Sequence, residues 1–197
     1  MYKRQGLQEP DAGRVVFDGT DITRQSPFRR ARMGISRTFQ KLEAFSSLSA
    51  RENVLVAAEQ RKAWDRSEFN PAAVADDLLV RVGISDVAQY MVGTLPTGTA
   101  RLVELARALA MNPRLLLLDE PSSGLNEEET AGMASLLKGL VADGLAVLLV
   151  EHDMSFVMGT CALIYVLEFG QIIAVGPPST IQDDHAVRAA YLGSAAR

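Results

Sequence analysis

The sequence predicts an α/β fold in which buried parallel strands deliver polar residues to one edge of a sheet, and three observations carry that prediction. Leu115 to Leu118 are four consecutive leucines, as suits a strand buried on both faces of a parallel sheet. The run ends in Asp119-Glu120-Pro121, which places two carboxylates at the carboxyl end of a strand, where open α/β sheets bind ligands. A second apolar run, Leu145 to Val150, leads into Glu151-His152-Asp153. It reads as another buried strand that brings His152 to the same edge as Glu120.

The elements follow in order. Arg14 to Gly19 is rich in β-formers and ends in Asp-Gly, so it reads as a strand with a hairpin-like exit. Ser26-Pro27 opens a basic helix, Phe28 to Arg32, whose Arg29-Arg30-Ala31-Arg32 patch reads as a solvated face. Ile35 to Phe39 is a short strand that hands Gln40 to a loop, where its amide carbonyl can bind Mg²⁺ or water. Ser49 with Glu52 three residues on forms a capping box before the run Asn53 to Ala58. The polar stretch Gln60 to Asn70, closed by Pro71, reads as a loop in which Trp64 is a local packing anchor. Ala72 to Val82 is a helix stopped by Gly83, and Ser85 is placed to cap another that ends near Gly93.

In Leu95-Pro96-Thr97-Gly98-Thr99-Ala100-Arg101, Gly98 permits close backbone approach to a phosphate. The helix that follows, with Leu102, Leu105 and Leu109 on one face, would aim its N–H groups and dipole at that anion. Thr97 and Thr99 offer hydroxyl donors and Arg101 a positive charge. Taken alone, Leu-Pro-Thr-Gly is only a helix-entry turn. Past Ser122 to Asn126, Glu127 to Ala142 is a helix whose acidic first turn suits its dipole, closed near Asp143-Gly144. Asp153 begins a further helix, and Ala162 to Glu168 and Gln171 to Val175 are strands around Phe169-Gly170.

Composition narrows the function. A chain of 197 residues with 48% hydrophobic content supports one domain, 1–197. A net charge of −4 and a pI of about 5.3 argue against a nucleic-acid binder. Cys161 is the one cysteine, so no intrachain disulfide forms, and its apolar flanks point to a buried inert thiol. The longest uncharged stretch, Met154 to Leu167, is shorter than the ~20 residues that span a bilayer. The opening residues do not read as a signal peptide. Any membrane role is therefore expected to come through a partner.

At the sheet edge two acids can do two jobs. Asp119 can hold Mg²⁺ on a nucleotide, while Glu120 orients or deprotonates an attacking water. With Gln40, the Leu95–Arg101 segment, Ser122 to Asn126 and His152 in this order, the chain resembles the nucleotide-binding subunit of ABC transporters. Within that family it is most similar to the ATPases of branched-chain amino-acid-type importers, from about Gly6 to Gly193. Gln40 matches the Q-loop glutamine, Leu95 to Arg101 the signature, Arg114 to Asp119 the Walker B strand, Glu120 the catalytic carboxylate, Ser122 to Asn126 the D-loop and His152 the switch histidine. Gly34 to Gln40, Tyr165 to Gly170 and Ala190 to Gly193 carry the likeness to the importer subfamily.

The resemblance implies a P-loop NTPase-like ABC ATPase fold with a helical subdomain over residues 42–95, and ATP and Mg²⁺ as cofactors. It assigns Glu120, His152 and Gln40 to catalysis and Asp119 and Gln40 to the metal. Thr97, Gly98, Thr99, Arg101 and Asn126 would serve nucleotide binding across a head-to-tail dimer with a second ABC ATPase subunit, identical or different. Transmembrane permease subunits are the other implied partners, with the chain peripheral at the cytoplasmic face of the plasma membrane and no nucleic acid involved. Pro96-Thr97-Gly98-Thr99 departs from the usual Ser-Gly-Gly-Gln, and Asn126 stands where aspartate is usual.

A Gly-x-x-x-x-Gly-Lys-Ser/Thr phosphate loop is absent. The lysines are Lys3, Lys41, Lys62 and Lys138, preceded by Tyr2, Gln40, Arg61 and Leu137 rather than glycine. Because the family places that loop just ahead of Gly6, the chain is expected to be an inactive fragment lacking the N-terminal strands and P-loop, with residues 1–5 non-native. The alternative is a soluble ABC ATPase of DNA repair or translation. That would show tandem domains, a long coiled-coil insertion between Gln40 and Gly98 or a basic surface, and the sequence shows none. In an importer, selectivity lies with the permease and binding protein, so branched-chain amino acids, other amino acids, amides and urea all fit.

Overall fold

In the computed structural model, residues 10–192 are described, the side chain of Leu192 excepted; the non-native reading of residues 1–5 lies outside them. A hairpin comes first. Strands β1 (Val16–Phe17) and β2 (Thr20–Asp21) pair antiparallel around Asp18 and Gly19, whose φ values of 50° and 74° give the left-handed turn that matches strand twist. Ser26 caps α1 (Pro27–Arg32) by accepting from the Arg29 N–H at 3.4 Å. The basic patch on α1 is not wholly solvated. Arg30 is 1% exposed, and its guanidinium donates to the carbonyls of Gln25 at 2.9 Å and Thr23 at 3.0 Å. Desolvation lowers its pKa.

After β3 (Ile35–Arg37), the capping box at α2 (Ala50–Lys62) is formed in both directions. Ser49 N–H donates to Glu52 at 2.7 Å and Glu52 N–H to the Ser49 hydroxyl at 3.1 Å. The Ser49 N–H, joined by the Ser49 hydroxyl donating at 2.8 Å, holds the Glu52 carboxyl below its ordinary value. Helix α2 enters the stretch read as a loop, where Arg61 bonds Asp65 at 2.7 Å and stacks over Phe69 at 4.1 Å. Trp64 is a packing anchor, meeting the Phe28 ring edge-on at 6.0 Å. Asn70 caps α3 (Pro71–Arg81), which stops before Gly83 at φ 77°.

Ser85 caps no α-helix. Residues Ser85–Val87 and Val92–Thr94 form only 3₁₀ turns, and carbonyls and an N–H in this stretch are taken up at the start of α2 rather than by a longer helix. Ala50 and Arg51 N–H groups donate to Tyr90 and Ala88 carbonyls at 3.0 and 2.8 Å, and Val92 N–H to Leu48 at 3.0 Å.

The remaining elements are α4 (Thr97–Ala110), β4 (Leu115–Asp119), α5 (Glu127–Ala142), β5 (Ala146–Val150), α6 (Met154–Thr160), β6 (Ile164–Glu168), β7 (Gln171–Gly176), α7 (Pro178–Asp183) and α8 (His185–Val187). Among the described residues, β3, β4 and β5 form a parallel sheet in that order, with Ile35 opposite Leu115 and Asp119 opposite Val150. Alternation along β4 divides its leucines between two cores. Leu116 and Leu118 join Val103, Ala106, Leu137 and Leu140, while Leu117 packs with Ile22 and Ile35 on the other face. Strand β5 is not buried as its sequence suggested. An edge strand among the described residues, it has exposed ends and a half-buried middle. Strands β6 and β7 pair antiparallel, and Ile164 and Val166 pack with Ile181 and Val187 in a separate small core. Cys161 is half-buried, and desolvation raises its thiol pKa. No helix among the described residues is long and apolar enough to cross a membrane.

Asn53 is the buried polar residue that ties α2 to the segment before it. It is 0% exposed, accepts from Phe45 N–H at 2.8 Å, and donates to the carbonyls of Phe45 at 3.0 Å and Ser49 at 2.9 Å. Asn53→Ala strands these groups without water. Urea denaturation should show a loss of about 1–3 kcal/mol, the usual penalty for an unmatched buried polar group; an unchanged midpoint would remove this role.

Candidate functional site

The parallel register sets Asp119, the last residue of β4, opposite Val150, and so brings Glu120 just past β4 beside Glu151 and His152 just past β5. Glu120 is the first residue beyond its strand and has φ 48°. Left-handed backbone costs a residue with a Cβ roughly 1–2 kcal/mol, and such strain gathers at active sites. It is held by the Glu120 N–H donating to Val150 at 2.9 Å and by Ser123 N–H donating to Glu120 at 3.1 Å.

Three of the residues singled out from sequence converge here. Gln40 Nε2 donates to Glu120 Oε2 at 2.9 Å, and His152 Nδ1 lies 3.7 Å from Glu120 Oε1. Gln40 arrives from the loop after β3, Glu120 from β4 and His152 from β5. The Glu120 carboxylate thus accepts a hydrogen bond on Oε2 and has the imidazole close to Oε1, while the His152 side chain remains 71% exposed.

Asp119 is half-buried on the strand side of Glu120. Desolvation raises its pKa, and the nearby carboxylates of Glu120 and Glu151 add to the rise. Concentrated negative charge of this kind suits a divalent cation. Mg²⁺ in nucleotide sites takes one or two carboxylates and completes its shell with water and phosphate. Asp119 would fit that role, and the Gln40 carbonyl oxygen would be free to act as a second ligand, since its amide nitrogen donates to Glu120.

The signature residues form a separate group. Helix α4 starts at Thr97 after Pro96, with no side-chain cap. Gly98 is buried, and the atoms nearest to where its Cβ would stand belong to the Glu129 carboxylate, not to the Gln40–Glu120–His152 group. Thr97 turns its methyl toward Gly124, and Thr99 is half-buried. Asn126 is the N-cap of α5. Its side-chain oxygen accepts from Glu129 N–H at 2.9 Å while Asn126 N–H donates to the Glu129 carboxylate at 2.9 Å. That oxygen therefore serves the helix cap. The Asn-x-x-Glu spacing was the available signal.

Arg101 departs from its expected role. Instead of offering charge at the start of α4 it is 7% exposed and donates to the carbonyls of Phe39 at 2.9 Å and Gln40 at 2.5 Å. It also pairs with Glu104 at 3.2 Å, while Glu104 accepts from Glu43 N–H at 2.5 Å and Arg107 donates to the Glu43 carbonyl at 2.7 Å. The physical reason is the helix itself: position 101 lies one turn in, on the face that packs against the Gln40 loop. Arg101, Glu104 and Arg107, three residues apart on an otherwise apolar face, are the pattern that announces such a clamp. Burial raises the Glu104 pKa against the opposing pull of Glu43 N–H and Arg101.

Sequence reasoning gave Glu151 no role, yet its side chain is 0% exposed beside His152. Only the fold brings its partner, Ser122, to it.

If Glu120 holds strained backbone for its chemistry, removing the Cβ relieves the strain. Glu120→Gly should be more stable than Glu120→Ala by about 1 kcal/mol in chemical denaturation. Equal stability would show that the position carries no such strain.

Comparison with known proteins follows the same lines. The ABC transporter family model matches residues 5–123, and the branched-chain amino acid ATP-binding cassette transporter model matches residues 171–197. The high-affinity branched-chain amino acid transport ATP-binding protein BraF of Pseudomonas aeruginosa is 36% identical over 203 residues, covering 96% of this chain and 80% of BraF. The lipopolysaccharide export system ATP-binding protein LptB of Haemophilus influenzae is 34% identical over 193 residues, covering 98% and 79%. Among solved structures, the ADP conformation of MJ1267, an ATP-binding cassette of an ABC transporter, matches with a TM-score of 0.86. It is 28% identical, over 98% of this chain and 82% of that one.

Proposed function

The chain belongs to the ABC transporter family, whose ATPases hydrolyse ATP, and from that premise we propose that it is the ATP-hydrolysing subunit of an importer for branched-chain amino acids or related amino acids and amides. The observation that carries the catalytic reading is the convergence of Gln40, Glu120 and His152. The match at residues 171–197 and the likeness to BraF support the solute class. The likeness to LptB at similar identity favours a second reading, an ATPase of lipopolysaccharide export. The relatives named above are transport proteins, which sets the DNA-repair or translation alternative aside.

Bound Mg-ATP supplies the γ-phosphoryl group and the charge that offsets Asp119. Glu120, oriented by Gln40 on one oxygen and His152 on the other, accepts a proton from the attacking water. Arg101 holds the carbonyl of Gln40 and so the reach of its amide. Thr97, Gly98 and Thr99 at the start of α4 face the nucleotide of a second ABC ATPase subunit, Asn126 shapes the adjoining loop, and residues 42–95 form a helical subdomain against the permease. In this reading the chain sits peripherally at the cytoplasmic face of the membrane. The net charge of −4 is in keeping with a role away from nucleic acid.

Since the sequence has no Gly-x-x-x-x-Gly-Lys-Ser/Thr loop, calorimetry on this chain should detect no micromolar affinity for Mg-ATP; such affinity would mean that phosphate is held in another way.

A chimera with a phosphate-binding strand, loop and helix placed ahead of Gly6 tests the function. It should hydrolyse ATP, and Glu120→Gln should lower turnover by ~10²–10⁴ with binding retained. Expressed with branched-chain amino-acid permease subunits in cells lacking their own import ATPase, it should restore leucine uptake. Rescue of lipopolysaccharide export instead would establish the second reading.

A further inference from the structure

Glu151 is the most enclosed carboxylate at the site, and both of its oxygens are engaged. Oε1 accepts from the Ser122 backbone N–H at 3.0 Å and from the Ser122 hydroxyl. Oε2 accepts from the N–H groups of His152 at 2.9 Å and Asp153 at 3.3 Å, and lies 3.6 Å from His152 Nδ1. Burying a carboxylate is costly unless its lone pairs are filled. Here four donors fill them, and three are backbone N–H groups whose direction the chain fixes.

These donors come from two loops. Residues 120–123 follow β4 and carry Glu120; residues 151–153 follow β5 and carry His152. The bond from Glu120 N–H to Val150 joins the loops at the strand ends, and Glu151 joins them one residue further out. The same carboxylate lies near Nδ1 of His152, as does that of Glu120 at 3.7 Å. Both separations exceed hydrogen-bond length, yet two negative charges there favour the tautomer that carries its proton on Nδ1 and leave Nε2 with its lone pair.

We propose that Glu151 is a positioning residue whose carboxylate links the Ser122 turn to the His152 loop and sets the Nδ1 edge of the imidazole toward Glu120. Its importance rests on the reading of Glu120 and His152 given above. A glutamine at 151 would have one acceptor oxygen and one NH₂ group, so one of the two sets of donors would face another donor. An aspartate keeps the charge but is one methylene shorter, so it reaches its local N–H groups and falls short of Ser122.

The test uses the full chain without nucleotide. With His152 and His185 as the two histidines, ¹⁵N NMR of the rings separates their tautomers, and His185 serves as internal control. In Glu151→Gln, amide hydrogen exchange at Ser122, His152 and Asp153 should accelerate by about tenfold or more. The His152 ring pattern should move away from the Nδ1–H form while that of His185 stays unchanged. Wild-type exchange at these amides together with a wild-type His152 pattern would overturn the proposal. Should Glu151→Gln fail to fold, Glu151→Asp decides: faster exchange at Ser122 with the His152 pattern retained supports the link, and protected Ser122 overturns it. None of these readouts involves ATP, whereas leucine uptake by the chimera tests the functional reading alone.

Discussion

Everything at this site depends on the burial of β4 between two packed faces. Leu116 and Leu118 are enclosed on one side and Leu117 on the other, so a one-residue slip would turn each leucine to the wrong core. That constraint fixes the register against β3 and β5, and register fixes which residues meet beyond the strand ends. Because the strands are parallel, their carboxyl ends lie at one edge. Gln40, Glu120 and His152 meet there although up to 112 positions separate them in the chain.

Beyond the strand ends, polar groups withdrawn from water take over the positioning. Glu151 joins the loops that carry Glu120 and His152, while Arg101, Glu104 and Arg107 fasten the loop of Gln40 along α4. Backbone groups supply many of the contacts, and backbone cannot rotate away as a side chain can. The result is a loop cluster with defined geometry on a scaffold whose own interactions are apolar. The strained φ at Glu120 is tolerated in the same way, by bonds on either side of it.

The clamp along α4 also bears on how the two groups of site residues communicate. Arg101 belongs to the helix that begins at Thr97 and Gly98, yet it bonds the carbonyl of Gln40. Glu129, from the start of α5, fills the space beside Gly98 while its backbone is capped by Asn126. Helix α4 is therefore in direct contact with both the Gln40 loop and the start of α5. These are direct contacts and need no longer pathway.

Local patterns were legible wherever one segment suffices to satisfy its own chemistry. The capping box at Ser49 and Glu52, the Asp18-Gly19 and Phe169-Gly170 turns, the stop at Gly83, the limits of α5 and the leucine strand could all be read from neighbours in sequence. The order of motifs likewise singles out Gln40, Glu120 and His152, which the fold brings together. The tertiary structure alone decided where polar side chains turned. Arg30 and Arg101 are buried against carbonyls, Asn126 caps its helix, Ser85 caps none, β5 lies at the outside of the sheet and Glu151 bridges two loops. The physical reason is common to all of these: a charge or hydrogen-bonding group settles where unmatched partners remain after the chain has packed, and periodicity in sequence records burial but not the partner brought from a distant segment.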